Sequence, residues 1–344
     1  MWKIRDKIMD VIKIGKLYSD AVTQMRMQKE CVYYAKSKID EVIDEIKGGN
    51  LSMFDTYKAG NLRISRVYQL AAVIYSHFSE EKAMEYYKLF HYFLLEEYIW
   101  ETKKEFQQEE FYLYSFRGIN NYSIKDIEDY TINFAVPTKM NDPFDTLAIK
   151  WCQENNLNNL IDNTMHIHCF RNSWNYYRIR SFVAQKDFGE NDKGIVDNML
   201  MWSHYGDGHR GYCIKYKFSK DFIFNVDAYN YSARVLLPIV YREEAFSIEK
   251  KRIRIMDAFK RKSWQWHYEN EIRLLDYNPT KEADYIQAPL DAKSKICEII
   301  FGYSCSHDNI TKIKEKFKDI EDIKFSQIYS NKNDIYTLKT KAIE

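Results

Sequence analysis

Proline is scarce in this chain, and the first third contains none. The five prolines are Pro137, Pro143, Pro238, Pro279 and Pro289. Because proline interrupts helices and central strands, a long stretch without it favours uninterrupted helices. We therefore expect the amino-terminal third to be helical and the remainder to contain more turns.

Cysteine is also scarce, and its spacing is irregular. The six cysteines lie at positions 31, 152, 169, 213, 297 and 305, with no CxxC pair among them. A chain of 344 residues can bury an adequate core without covalent cross-links. The pattern therefore predicts reduced thiols and a cytoplasmic location rather than a disulfide framework or a regular metal-binding repeat.

The sequence has no excess of one charge and no long hydrophobic run. Lysine and arginine total 51 against 50 for aspartate and glutamate, so no broad electrostatic attraction to nucleic acid or membrane is expected. The first turns carry Lys3, Arg5 and Asp6 where a signal peptide would be apolar. These features predict a soluble protein with no membrane partner.

Apolar residues in the first 108 residues have helical spacing. This spacing extends from Ile4 to Ile43, and the predicted helix ends at Gly48. Further helices are predicted over residues 62–78 and from the N-cap Ser79 onward. We predict an α-helical bundle over residues 1–108. Its expected role is recognition of a protein partner or regulation of the following region.

From residue 109 onward, predicted strands outnumber predicted helices. Helices are expected over residues 249–264 and 310–317, and the strands are expected over residues 111–116, 130–136, 165–170, 235–242, 266–275, 295–301, 324–329 and 334–339. This order predicts an α+β fold, in which the helical domain is followed by a mixed, mostly antiparallel sheet domain over residues 109–344.

The stretch from Asn198 to Phe218 predicts a helix end, a tight loop and a strand. Gly206, Gly208 and Gly211 permit unusual backbone conformations and close approach of a ligand, which favours a binding site. An ordinary turn lined by packed aromatic rings is the alternative. The GxGxxG spacing is not a dinucleotide fingerprint here, because that motif requires a preceding strand and a following helix.

A second informative segment contains two acidic residues. In a strand beginning at Trp266, Glu269, Glu271 and Arg273 would share one face. Two buried carboxylates on one face repel unless a cation lies between them, and Arg273 is the candidate cation. A solvated outer face is the alternative, although the neighbouring Trp264 makes exposed charges less expected.

Two other chemistries remain open from residue types alone. His166, His168 and Cys169, together with His204 or His209, could bind zinc in a metal-dependent nuclease or hydrolase, but no second pair has ligand spacing. Cys169 or Cys213 could also act as a nucleophile beside a histidine. The prediction adopted here contains no metal.

Four segments resemble the bacterial domain-of-unknown-function family 2971. They are Phe116–Gly118, Asn141–Asp145, Met201–Tyr205 with Gly211–Ile214, and Trp266–Arg273, and the resemblance covers roughly residues 110–305. The helical first third lies outside it.

The order of these segments is also similar to that of ADP-ribosyltransferases. Both have an aromatic strand that ends in Arg-Gly, a central polar and aromatic segment, and a late Glu-x-Glu. The resemblance implies an ADP-ribosyltransferase-like fold in which Arg117 holds the NAD phosphates, Glu271 is the catalytic glutamate and Glu269 precedes it. The Ser-Thr-Ser run of that family is absent, and Ser173 and Ser203 are its possible substitutes.

The resemblance implies an NAD-dependent ADP-ribosyltransferase or NAD glycohydrolase, acting as a toxin or phage-defence effector on an unknown macromolecular acceptor, either protein or nucleic acid. NAD is the expected substrate. The expected catalytic residues are Glu271, Glu269 and Arg117, and the expected NAD-binding residues are Arg117, Tyr114, Asn141, Asp142, Ser203, His204 and Tyr205. A non-catalytic nucleotide sensor or adaptor is a further alternative.

Overall fold

The computed structural model describes residues 16, 17, 19–23, 32–48, 63–140, 142, 145, 176–243, 255–317, 322–331 and 334–343. The predicted strand over residues 165–170, which includes His166, His168 and Cys169, lies outside these residues. Asn141 and Ser173 also lie outside them. The described cysteines, Cys213, Cys297 and Cys305, are free thiols.

Eight α-helices are described. They are α1 Val32–Gly48, α2 Ile64–Tyr75, α3 Glu80–Thr102, α4 Asn121–Glu128, α5 Met199–His204, α6 Lys220–Ile223, α7 Ile255–Lys260 and α8 His307–Lys316. Short 3₁₀ helices span Lys103–Glu105, Pro137–Lys139 and Trp264–Glu269. In the described ranges, no helix combines the length and the apolar character needed to cross a membrane.

Helix α3 begins as its sequence predicts. The Ser79 side chain accepts a hydrogen bond from the amide of Lys82, and Glu80 and Glu81 occupy the first turn, where the helix dipole stabilises negative charge. Helix α3 packs along α2 and buries residues around most of its circumference. The helical character predicted for the amino-terminal region is confirmed.

Thirteen strands are described. They are β1 Glu110–Arg117, β2 Thr131–Ala135, β3 Tyr177–Val183, β4 Tyr212–Ser219, β5 Asn225–Asp227, β6 Ser232–Pro238, β7 Val240–Arg242, β8 Arg261–Ser263, β9 Glu271–Tyr277, β10 Tyr285–Pro289, β11 Lys295–Phe301, β12 Lys324–Asn331 and β13 Asp334–Ala342. Eleven of them form one sheet in the order β13-β12-β11-β4-β1-β3-β9-β6-β5, with β2 joined to β3 and β10 joined to β2.

The main sheet is mostly antiparallel, as predicted. Its one described parallel pair is β11 with β12. Strands β7 and β8 lie outside this sheet and pair in parallel with each other. The α+β fold class is therefore confirmed.

Strands β1 and β3 are joined at a single position. Tyr114 pairs with Val183, whereas β1 pairs with β4 at eight positions and β3 pairs with β9 at seven. Beyond the Tyr114–Val183 pair the two strands diverge. The sheet opens at this point, and strand residues on both sides of the opening line a cavity.

A single apolar core connects the amino-terminal helices to the sheet. His91 Nδ1 lies 2.8 Å from the hydroxyl of Tyr177, and the hydroxyl of Tyr277 donates to the carbonyl of Lys88 at 3.0 Å. A smaller core around Trp202 packs separately. The predicted domain boundary at residue 108 stays a prediction, and the described core is continuous across it.

The segment from Trp264 to Leu275 differs from its prediction. A strand was predicted from Trp266 onward, but residues 264–269 form a 3₁₀ helix and β9 begins at Glu271. Asn270 separates the two elements with φ 44°, in the left-handed region.

Two other predicted elements also differ. The strand predicted over residues 235–242 is divided into β6 and β7. A helix was predicted over residues 249–264, of which residues 255–264 are described. Helix α7 spans residues 255–260, and β8 follows it where the helix was predicted to continue.

Candidate functional site

A cavity of about 500 Å³ lies where β1 and β3 diverge. Its walls come from β1, β2 and the segment after it, β3, the end of α5, β8, the end of the 3₁₀ helix over residues 264–269 and the start of β9. The cavity is lined by seven of the residues predicted from the sequence, namely Tyr114, Arg117, Asp142, His204, Tyr205, Glu269 and Glu271. These residues span more than 150 positions of the chain, so the fold brings them together.

Glu269 and Glu271 both bind the ammonium group of Lys262. Lys262 Nζ lies 2.5 Å from Oε2 of Glu269 and 2.9 Å from Oε2 of Glu271. The left-handed backbone of Asn270 lies between the two carboxylates, and it allows both side chains to reach one cation even though Glu269 precedes the strand. All three charged groups are buried or nearly so.

Behind Glu271 lies a second buried cation. The Arg273 guanidinium donates from Nε to Oε1 of Glu271 at 2.7 Å and from Nη2 to Oδ2 of Asp145 at 2.5 Å. Ser181 also donates to Glu271, at 2.6 Å. The prediction that Arg273 lies between Glu269 and Glu271 was wrong, because Lys262 takes that position and Arg273 joins Glu271 to Asp145.

These contacts drive the pKa values of the two glutamates in opposite directions. Burial raises the pKa of Glu269, and the charge of Lys262 only partly offsets this effect. Burial also acts to raise the pKa of Glu271, but the charges of Arg273 and Lys262 outweigh it and lower the pKa to about 2. Glu271 is therefore ionised at neutral pH, while Glu269 is the carboxylate that binds a proton more readily.

Two guanidinium groups meet on the β1 side of the cavity. Arg180 Nη2 donates to the Ser115 hydroxyl at 2.6 Å, and Arg117 Nε donates to the same oxygen at 3.4 Å. Arg117 Nη1 also donates to the carbonyl of Ser123 at 3.5 Å. Arg117 is the last residue of β1, as predicted, and its side chain is mostly buried.

The α5 segment and the loop after it form another wall. Asn198 caps α5 by accepting from the amides of Leu200 and Met201, and its own amide group donates to the carbonyl of Tyr268 at 2.9 Å. Asn198 therefore connects α5 to the 3₁₀ helix. Trp202 is fully buried beneath this wall, and its indole donates to the carbonyl of Val196.

The glycine-rich loop requires glycine where it meets β1. A Cβ atom on Gly211 would lie 2.1 Å from the carbonyl oxygen of Arg117. One on Gly206 would lie 2.7 Å from the ring of Trp202. Asp207, Gly208 and His209 all have positive φ, so the loop is tightly wound.

His204 and Tyr205 connect this loop to the acidic residues. The Tyr205 hydroxyl donates to Oε1 of Glu269 at 2.5 Å, and His204 Nδ1 lies 2.7 Å from the Tyr268 hydroxyl. Burial, reinforced by the hydrogen bond to Glu269, strongly raises the pKa of Tyr205. Tyr205 is therefore a stable donor to Glu269 at neutral pH.

The remaining predicted residues have different positions. Ser203 does not line the cavity; its hydroxyl donates to the carbonyl of Met199 and lies 3.3 Å from Nε2 of His209. Tyr114 lines the cavity, but its hydroxyl donates to the carbonyl of Glu190 at 3.2 Å. Asn141 and Ser173 lie outside the described residues.

Several residues that line the cavity were not predicted from the sequence, namely Ser115, Lys139, Arg180, Ser181, Lys262 and Tyr285. Lys262 had one usable signal, because two neighbouring carboxylates require a cation and Lys262 is close to them in sequence. Asp145 was part of the Asn141–Asp145 segment but was not predicted to belong to the site.

Within the described ranges, no group of three or more histidine, cysteine, aspartate or glutamate side chains is arranged to hold a metal ion. His204, one candidate ligand, is near Tyr268, whereas His166 and His168 lie outside those ranges.

Residues 201–274 match the model of DUF2971, a family described as proteins of unknown function. The matched region begins in α5 and ends in β9, and it therefore contains Tyr205, Lys262, Glu269 and Glu271. No curated protein and no solved structure matches the chain. The similarity to ADP-ribosyltransferases therefore depends on the order of the sequence motifs alone.

Proposed function

We propose that the cavity binds NAD and cleaves its nicotinamide–ribose bond, as an ADP-ribosyltransferase or an NAD glycohydrolase does. The observation that carries this proposal is the separation of charge across one cavity. Two guanidinium groups meet on the β1 side, whereas the glutamate pair lies beside β9. NAD has a matching distribution of charge, with an anionic diphosphate and a cationic pyridinium ring.

The β1 side suits the diphosphate. Arg117 and Arg180 both donate to the Ser115 hydroxyl, and both line the cavity. Guanidinium groups bind phosphate oxygens in paired hydrogen bonds, so two of them on one wall of the cavity favour an anionic ligand there. Lys139 also lines the cavity, but its ammonium group pairs with Asp284 at 3.2 Å, so the argument depends on the two arginines.

The glutamate side suits a developing positive charge. Glu269, Glu271 and Asp145 carry three negative charges when ionised, and Lys262 and Arg273 carry two positive charges, which leaves one negative charge. Cleavage of the glycosidic bond develops positive charge on the ribose, and a fixed buried carboxylate stabilises it. Glu271 is ionised and anchored, as this role requires.

The proposed reaction assigns different roles to the two glutamates. The bond between the ribose C1′ and the pyridinium nitrogen breaks, and its electron pair leaves with nicotinamide. An oxygen from water or from an acceptor forms the new bond to C1′, and its proton passes to Glu269, whose raised pKa suits a base. His204 and Tyr205 provide the ring surfaces beside this step.

The test is release of nicotinamide from NAD by the purified protein, measured by chromatography and mass spectrometry. We expect wild-type turnover, a large loss in Glu271→Gln and a raised KM in Arg117→Ala, because the phosphate contacts exist before and during the reaction. A search for added ADP-ribose in cells that express the protein would identify a protein or nucleic acid acceptor. The same experiment tests a role as a toxin or phage-defence effector.

One observation favours a second function, nucleotide binding without turnover. Both carboxylate oxygens of Glu271 already bind cations, so the group has a structural as well as a chemical use. In that case calorimetry would detect NAD binding, Arg117→Ala would weaken it, and no nicotinamide would form.

A further inference from the structure

Lys262 enters the cavity from an element outside the main sheet. It is the middle residue of β8, which pairs in parallel with β7. Tyr241, its register partner in β7, accepts a hydrogen bond from the backbone amide of Glu271 at 2.7 Å. The small two-stranded sheet therefore fixes both Lys262 and the start of β9.

The ammonium group is held by three acidic side chains and one ring. It bridges Glu269 and Glu271, lies 4.0 Å from Oδ2 of Asp145, and lies 5.2 Å from the centre of the Trp266 ring. The side chain is only 8% exposed. A lysine buried this deeply is stabilised only when its charge is paired, and here one cation serves two carboxylates.

We propose that Lys262 is the positioning residue of this site, and that its ammonium group holds the carboxylates of Glu269 and Glu271 side by side in the geometry needed for reaction. This inference rests on the proposed function for its role in catalysis. Lys262 itself acts through the glutamates and need not touch the substrate.

Removal of the charge on Lys262 would affect the two glutamates unequally. Glu269 would keep Tyr205 as a donor, and Glu271 would keep Arg273 and Ser181. No other described ion pair holds Glu269. Repulsion between the carboxylates, together with burial, would therefore raise the pKa of Glu269 further. Other titratable groups that face the cluster are Asp145, Tyr241 and Tyr268.

The experiment compares Lys262→Met, Lys262→Gln and Lys262→Arg with the wild type. Methionine and glutamine remove the charge at similar length, and arginine retains it. Lys260→Met is the matched control, because Lys260 is two residues away in sequence but its ammonium group lies over the ring of Tyr98 on α3. The full chain is used throughout.

The first readout is the pH profile of kcat/KM for NAD. We expect the acid limb to move to higher pH by about 1–3 units in Lys262→Met and Lys262→Gln, the usual effect of removing an opposite charge at this range. Lys262→Arg and Lys260→Met should retain the wild-type limb. A lower melting temperature with an unmoved acid limb would overturn the proposal.

The second readout needs no NAD. Carbon-13 NMR of labelled glutamate side chains, assigned with Glu269→Gln and Glu271→Gln, should show a raised titration midpoint for Glu269 when the charge of Lys262 is removed. Unchanged titration would overturn the proposal even if NAD is cleaved. If the wild type releases no nicotinamide, the proposed function fails, and the titration still decides the role of Lys262. Failure of both neutral variants to fold, while Lys262→Arg folds, would make Lys262 a structural partner and also overturn the proposal.

Discussion

At the scale of single residues, the site depends on one backbone conformation. Asn270 has a positive φ, which is uncommon outside glycine and is found most often in asparagine and aspartate. This conformation ends the 3₁₀ helix and starts β9, so that Glu269 and Glu271 reach the same lysine. A short polar residue at position 270 thus determines how two carboxylates are arranged.

Glu271→Gln tests chemistry and stability together. Loss of a preorganised charge lowers turnover by about 10²-fold to 10³-fold, and breaking a buried ion pair by removing one partner costs about 3–5 kcal/mol of folding free energy. We expect both effects, measured as nicotinamide release and by chemical denaturation. The loss of stability is expected because Glu271 forms buried ion pairs with Arg273 and Lys262.

Asp276→Asn is the control for that variant. Asp276 lies on the same strand, is buried, and accepts from Arg234 at 2.9 Å, but it does not line the cavity. It should lose stability and retain turnover in the folded protein. Equal losses of turnover in both variants would mean that Glu271 acts only through folding.

Gly211→Ala should disturb the end of β1. The added Cβ would meet the carbonyl of Arg117 at 2.1 Å, so the backbone must shift, and overpacking of this kind costs about 1–3 kcal/mol. We expect a lower melting temperature and weaker NAD binding, because Arg117 moves with its backbone. Gly48→Ala has nothing within 4 Å of its Cβ and should change stability by less than about 0.5 kcal/mol. Similar behaviour of the two variants would contradict this account.

At the scale of elements, α5 and the 3₁₀ helix form one wall through Asn198. Asn198→Ala removes the N-cap of α5, which costs about 1 kcal/mol, and also removes the bond to Tyr268. Ser306→Ala removes the cap of α8, which does not line the cavity. We expect similar losses of stability in the two variants, and a higher KM for NAD only in Asn198→Ala. A higher KM in both variants would show that the effect is not local.

The elements that could be predicted are those with strong local signals. The starts of α3 and β4 were predicted closely, from the N-cap Ser79 and from the glycine-rich turn before β4. Both signals are local, because a cap and a glycine conformation depend on neighbouring residues only. The strand prediction was wrong for residues 266–269, because aromatic and polar residues alternate there as in a strand. Trp264 and His267 stack at 4.4 Å between ring centres, which is the i, i+3 contact of a 3₁₀ helix.

The candidate site was only partly visible from the sequence for a similar reason. Glu269, Glu271 and Tyr205 belong to distinctive motifs, and the fold brings them to one cavity. Lys262 and Arg180 have no motif, and their positions depend on strand pairing between distant segments. The single pair that joins β1 to β3 has no local sequence signal either, although it creates the opening.

At the scale of the whole molecule, the helices and the sheet share one core. Tyr177 and Tyr277 are fully buried, and both contact helix α3 through hydrogen bonds. Residues 109–344 are predicted to form a domain, but a chain that starts near residue 106 would expose these rings. We expect it to melt at a lower temperature than the full chain. An unchanged melting temperature would show that α3 contributes little to the core, and failure to fold would refute an independent domain.

His91 makes the shared core sensitive to acid. It is fully buried at the junction between α3 and β3, and burial lowers its pKa from 6.5 to about 3. Between these two values the unfolded chain binds a proton that the folded chain does not, so stability falls as the pH falls below 6.5. From pH 7 to pH 5 the loss is about 2 kcal/mol.

His91→Phe removes the titrating group. Between pH 7 and pH 5 its free energy of unfolding, measured by chemical denaturation, should therefore fall by about 2 kcal/mol less than that of the wild type. Loss of the Tyr177 contact should lower its stability at every pH. His307→Gln, at an exposed position on α8, should retain the wild-type dependence. A wild-type slope in His91→Phe would show that other groups, such as the glutamates of the cavity, govern the response to acid.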